Sequence, residues 1–136
     1  MTEKKNSTLL KTTLAIFAVT VTIYGIVLLF FTNGFIEMLG EEPINPNWIR
    51  WPGGVLIALA YGALRVLRNP VNQDTFVKAI ALATLFSGLA LLYELIFEME
   101  PQYVVWLTVL PCVGQLLISA LLWIGRKQAR DILKQE

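Results

Sequence analysis

Residues 12–31 carry no charged side chain, and this run constrains the fold more than any other feature of the sequence. As a helix rising ~1.5 Å per residue, it covers the ~30 Å hydrocarbon layer of a bilayer. Lys4, Lys5 and Lys11 precede it, which makes a secretory signal peptide the competing reading. The run exceeds the ~7–15 residues of such a peptide's apolar region, and no small-x-small cleavage site follows Phe31. A membrane span is therefore expected.

Two more segments repeat the pattern. Residues 79–93 are uncharged and stay apolar through Leu95, Ile96 and Phe97, with Glu94 as the single interruption, and residues 103–125 have no charge at all. A fourth segment, residues 51–64, is shorter than a usual span and has the length of a buried or re-entrant helix. Composition fits a lipid setting: 56% of residues are hydrophobic, 15% are charged, and the mean hydropathy is +0.62.

Charge placement decides the short segment. Lys and Arg accumulate in short cytoplasmic loops. With four spans and a cytoplasmic N-terminus, every Lys and Arg except Arg50 falls on the cytoplasmic side. If residues 51–64 did not cross, the three N-terminal lysines would be separated from all the other basic residues. The segment reaches span length by starting near Trp48, where Asn45-Pro46 reads as an N-cap with Pro at the first helical position, and by letting Arg65 snorkel. The acids Glu37, Glu41, Glu42, Glu94, Glu98 and Glu100 then lie toward the outer side. Trp48, Trp51, Tyr93, Tyr103 and Trp106 form one interfacial belt, and Trp123 marks the other.

The expected fold is an all-α integral membrane four-transmembrane-helix bundle forming one domain. Its spans lie at about residues 12–31, 48–67, 78–97 and 103–125, with N-terminus and C-terminus cytoplasmic, in a multi-pass protein of the cell (cytoplasmic) membrane. No strand periodicity or internal repeat is present. The longest connection, residues 32–47, contains Gly34, Gly40, Pro43 and Pro46, and Phe35-Ile36-Glu37-Met38-Leu39 within it reads as a short interfacial helix.

Several function classes are disfavoured. A net charge of +1 offers no basic surface for nucleic acid. The chain has no His and one Cys, Cys112, so bis-histidine haem, imidazole-based metal sites, histidine acid/base catalysis and CxxC redox chemistry have no ligands; no cofactor and no metal are expected. Cys112 reads as a small packing residue.

Membrane helices associate through small residues. Gly54, Ala58 and Gly62 recur every four residues in the second span, and Ala79, Ala83, Ser87 and Ala90 nearly so in the third. A short turn at residues 69–75 joins these spans, so a small-on-small contact between them is expected. Arg50 precedes Gly54 by four residues and Glu94 follows Ala90 by four, which continues both stripes to the outer boundary. Three readings of Glu94 stay open: it snorkels beside Glu98, it pairs with Arg50, or it belongs to a functional site. In the fourth span Thr108, Cys112, Gln115 and Ser119 form a polar stripe beside Pro111, which leaves the Leu107 carbonyl without its helical donor. With Thr20, Tyr24 and Tyr61 at comparable depth, this stripe either lines an outward-facing polar cavity ending at Arg50 and Glu94 or supplies interhelical hydrogen bonds.

Tyr24-Gly25, Phe30-Phe31, Asn33-Gly34-Phe35, Leu39-Gly40, Arg50 ahead of Gly53-Gly54, Tyr61-Gly62 and Arg65 form a pattern that resembles the small four-helix bacterial membrane proteins grouped as DoxX-like, with their sister families of unknown function. The resemblance covers most of the chain. It implies a bacterial cytoplasmic membrane protein, in a group sometimes linked to redox or stress pathways, and supplies no catalytic set. Other four-span families fit less well. A vitamin K epoxide reductase-like enzyme needs a Cys pair, and small multidrug transporters need an acidic residue in the first span.

Two functional readings follow. The first is a non-enzymatic polytopic membrane protein, an accessory or assembly partner in a larger membrane complex or a self-associating homo-oligomer, with membrane lipids as its surroundings. The second is a small-molecule or proton-coupled transporter with an outward-facing binding site at Arg50, Glu94 and Gln115, joined by Tyr24, Tyr61 and Thr108.

Overall fold

A computed structural model describes residues 7–40, 47–98 and 105–134, and every element among them is helical. Four long helices, α1 (Thr8–Phe30), α3 (Asn47–Arg68), α4 (Asp74–Phe97) and α5 (Val105–Gln128), are accompanied by two short ones, α2 (Thr32–Leu39) and α6 (Arg130–Leu133). The first turns of α1 and α4 extend beyond the expected apolar runs. Thr8, Asp74 and Lys78 add polar turns at helix ends, where backbone propensity continues after hydropathy stops.

α1, α4 and α5 are each long and apolar enough to cross a membrane. α1 and α4 are apolar on every side, as helices buried in protein or lipid are. α3, with 22 residues, is ~33 Å long and so also has spanning length. It carries Arg50, Arg65 and Arg68 near its ends and does not reach the apolarity of the other three.

Two antiparallel pairs, α1 with α3 and α4 with α5, make the main contacts, and α1 packs on α5 to join them. α3 and α4 touch little. Where α1 crosses α3, Gly25 and Gly53 face each other. A Cβ on either would lie 3.0 Å from the other's carbonyl oxygen, so only glycine allows this backbone approach. The α4–α5 pair keeps one register throughout. Asp74 meets Arg126, Ala81 meets Ser119 and Gly88 meets Cys112, each step seven residues along both helices. This is the period of left-handed helix packing near +20°.

The expected contact between the small-residue stripes of α3 and α4 is not made. Gly62 is the one member of its stripe that meets α4, and what it receives is the ring of Phe76, which would stand 2.1 Å from a Cβ there. A phenyl group spaces the helices where an alanine would draw them together. Farther along the same faces Gly54 has nothing within 4 Å of a built Cβ, and Ala58, Ser87 and Ala90 are exposed, with Ala83 half-buried.

The core lies toward the end that holds Thr8, Asp74 and Gln128, called here the terminal end. It gathers Leu10, Leu14, Phe17 and Val21 of α1, Ala63 and Val66 of α3, Val77 and Ile80 of α4, and Leu122 of α5, and is closed by Ala129 and Leu133. The connection between α3 and α4 is tight: Asn69 Oδ1 accepts from the Val71 amide, and Asn72 adopts φ 58°, which asparagine tolerates better than most residues. At the opposite end α2 follows α1 after Phe31 and stops at Gly40, which is left-handed at φ 88°. The helix expected within residues 35–39 thus forms and starts earlier, at Thr32. The expected cap at Asn45-Pro46, and Glu41, Glu42, Glu100 and Tyr103, lie outside the described residues.

Candidate functional site

Polar groups gather at three places. The first is the α4–α5 seam. The Ser119 hydroxyl donates to the Ala81 carbonyl at 2.8 Å, and the Cys112 thiol donates to the Gly88 carbonyl at 3.4 Å. Thr84 donates within its own helix, to Ile80 and Ala81 at 3.0 Å. The stripe expected on α5 therefore supplies interhelical hydrogen bonds at Cys112 and Ser119, and Cys112 is a buried packing residue. Thr108 is buried on the same stripe and Gln115 is half-buried. Tyr24 is half-buried on α1, whereas Tyr61 is 70% exposed.

The second place is the terminal end of the same seam, and sequence reasoning missed it. Arg126 Nε donates to Asp74 Oδ1 at 2.7 Å and its Nη2 donates to Asp74 Oδ2 at 3.0 Å, a two-point fork on one carboxylate. Lys78 Nζ stands 3.2 Å from the same Oδ2, and the guanidinium carbon of Arg126 lies 5.5 Å from the Trp123 ring centroid. The Asp74 and Arg126 side chains are only 11% and 13% exposed. Asp74 sits in the first turn of α4 and Arg126 in the last turn of α5, where each also complements its helix dipole. The signal was present: continuing the stripe of Cys112 and Ser119 by one more heptad reaches Arg126.

The third place is the α2 end. A surface cavity of about 270 Å³, open to the surroundings, is lined by Phe30, Phe31, Thr32, Asn33, Gly34 and Arg50, of which only Thr32 is buried. Arg50 is its charged group, and among the described residues no carboxylate is seen paired with it. The pairing of Arg50 with Glu94 is not formed, because α3 carries Arg50 against α1 and α2 while α4 diverges from α3. Glu94 is half-buried on α4 and has an interaction of its own. The cavity thus takes Arg50 from the expected site residues and neither Glu94, Gln115, Tyr24, Tyr61 nor Thr108.

No group of His, Cys, Asp and Glu among the described residues is arranged to hold a metal ion. Comparison with protein-family models, curated proteins and solved structures gives no match.

Proposed function

We propose that this is a non-enzymatic multi-pass membrane protein, an accessory or assembly partner that receives a neighbouring helix between α3 and α4. One observation carries the reading: Gly54 and Ala58 on α3, and Ser87 and Ala90 on α4, continue the faces that meet at Gly62 and Phe76, yet all four are exposed. Small residues on a lipid-exposed face let another backbone approach closely, which is how helices associate where no hydrophobic driving force separates protein from lipid. A second copy of the chain is the self-associating form of the same proposal. In this reading all four long helices cross the membrane, with both termini cytoplasmic. α3 lies along α1 over most of its length and so shares its depth, and the positive-inside pattern sets the direction. The likeness to DoxX-like proteins belongs to this reading and assigns no chemistry.

A photo-crosslinker placed at Ala58, Ala90 or Val19 in living cells tests the docking face. Ala58 and Ala90 should give a protein adduct of one discrete mass, and Val19, exposed on α1, should not. Lipid adducts alone at all three positions would overturn the proposal. Reporter fusions at Asn6 and after Glu136 should both read cytoplasmic, and an external reading at either would remove the fourth crossing.

A further inference from the structure

We propose that the cavity at Arg50 binds the phosphate of an anionic phospholipid headgroup. The inference rests on α1 spanning the bilayer. Phe30 is the last residue of that helix, so a cavity opening beside it lies at headgroup level. A guanidinium offers a planar fork of donors that matches phosphate oxygens, and in this cavity no carboxylate among the described residues competes for it. The rim explains why the phosphate belongs to a lipid. Phe30 and Phe31 line the cavity yet are exposed, and Trp48 and Trp51 stand exposed on either side of Arg50, so acyl chains and glycerol esters meet aromatic surface just outside the charged group. The Thr32 hydroxyl is already spent on the Leu28 carbonyl, which leaves Arg50, and the Asn33 amide beside it, to meet the ligand.

Two substitutions address the cavity in different ways. Arg50→Gln removes the charge. Gly34→Leu adds bulk to the cavity lining, at a position where a Cβ meets nothing within 4 Å and so leaves the packing untouched. The purified protein is exchanged into micelles holding phosphatidylcholine and phosphatidylglycerol, and retained lipid is counted by native mass spectrometry, with circular dichroism melting as the check on folding. The wild type should retain one phosphatidylglycerol in preference to phosphatidylcholine. Each variant should hold it about tenfold or more weakly, Arg50→Gln through loss of one charge-assisted contact and Gly34→Leu through obstruction of the same place. Arg68→Gln, at the terminal end, should retain it as the wild type does and so separates this cavity from general attraction to basic residues. Folded Arg50→Gln and Gly34→Leu proteins that keep the lipid would overturn the proposal. Displacement of the lipid by millimolar inorganic phosphate would also overturn it, since the ligand would then be a soluble anion. Failure of the crosslinks at Ala58 and Ala90 would leave this result standing, because the cavity shares no residue with that face.

Discussion

Separating Asp74 from Arg126 should loosen the terminal end, and a double-mutant cycle measures by how much. The two contacts, at 2.7 and 3.0 Å, are hydrogen bonds between charged groups. Hydrogen bonding between such a pair contributes about 1.5–3 kcal/mol when shielded, whereas solvated surface pairs contribute about 0–1 kcal/mol. With side chains 11% and 13% exposed the pair lies near the shielded case, and Lys78 recovers part of the loss for Asp74. A coupling energy of about 2 kcal/mol follows from these bounds. Arg126→Ala, which also removes the contact with Trp123, should cost about 3 kcal/mol; Asp74→Ala, which strands a guanidinium, about 2.5 kcal/mol; and the double variant about 3.5 kcal/mol, the sum less the coupling. Lys78→Ala should cost only about 0.3–0.5 kcal/mol, because that side chain is 43% exposed and forms an ordinary i,i+4 pair.

The assay is reversible unfolding in mixed micelles followed by helical circular dichroism, with the wild type and the four variants measured at one detergent composition. A coupling below about 0.5 kcal/mol would refute the reasoning, since it would mean that the pair behaves as a solvated one. A large coupling with a large Lys78→Ala effect would refute it differently, by showing that the carboxylate is held mainly by the lysine.

Two further outcomes follow from the packing. Gly53→Leu and Gly54→Leu alter adjacent glycines of one helix. The first should cost about 1–3 kcal/mol through overpacking against α1, while the second should change monomer stability by less than about 0.5 kcal/mol and weaken association at the α3–α4 face; equal unfolding costs would refute the assignment of faces. Ser119→Ala removes the hydrogen bond to the Ala81 carbonyl and should cost about 0.6 kcal/mol and no more than about 1.7 kcal/mol, read by the same unfolding assay.

What the sequence disclosed, and what it hid, divides along physical lines. Helix positions were legible because charge and hydropathy mark where a chain can enter lipid, and the uncharged runs therefore located α1, α4 and α5. Polar residues on α5 were legible as a stripe because helical periodicity is local. Partner choice was not. The spacing of Gly54, Ala58 and Gly62 marks a face able to approach another helix, but which helix arrives depends on the largest side chain nearby, and Phe76 fills the place at Gly62. Gly25 and Gly53 gave no sign in the sequence of facing each other across two helices. Arg50 and Glu94 share a boundary by depth, which the sequence gives, and not by azimuth, which only packing gives. Asp74 and Arg126 were not legible as a pair because a charge at the end of an apolar run marks where the run stops and not which residue it meets, although the heptad through Cys112 and Ser119 runs on to Arg126.

That heptad also bears on the open side of the molecule. Asp74–Arg126, Ala81–Ser119 and Gly88–Cys112 fix α4 on α5 at three successive levels, and Gly25 against Gly53 fixes α3 on α1. The two pairs are joined near the terminal end, where the backbone of Leu10 lies against Gly125 and Phe76 against Gly62. α3 and α4 are thus each held rigidly by a different partner and meet at one level only. The separation of their small-residue faces is consequently set by the frame and not by contacts across the gap. On the proposed reading, a helix entering there would meet two walls already set by other contacts, so that little ordering of the host would oppose its binding, which is the condition under which small-residue contacts of modest individual strength add up to a stable association.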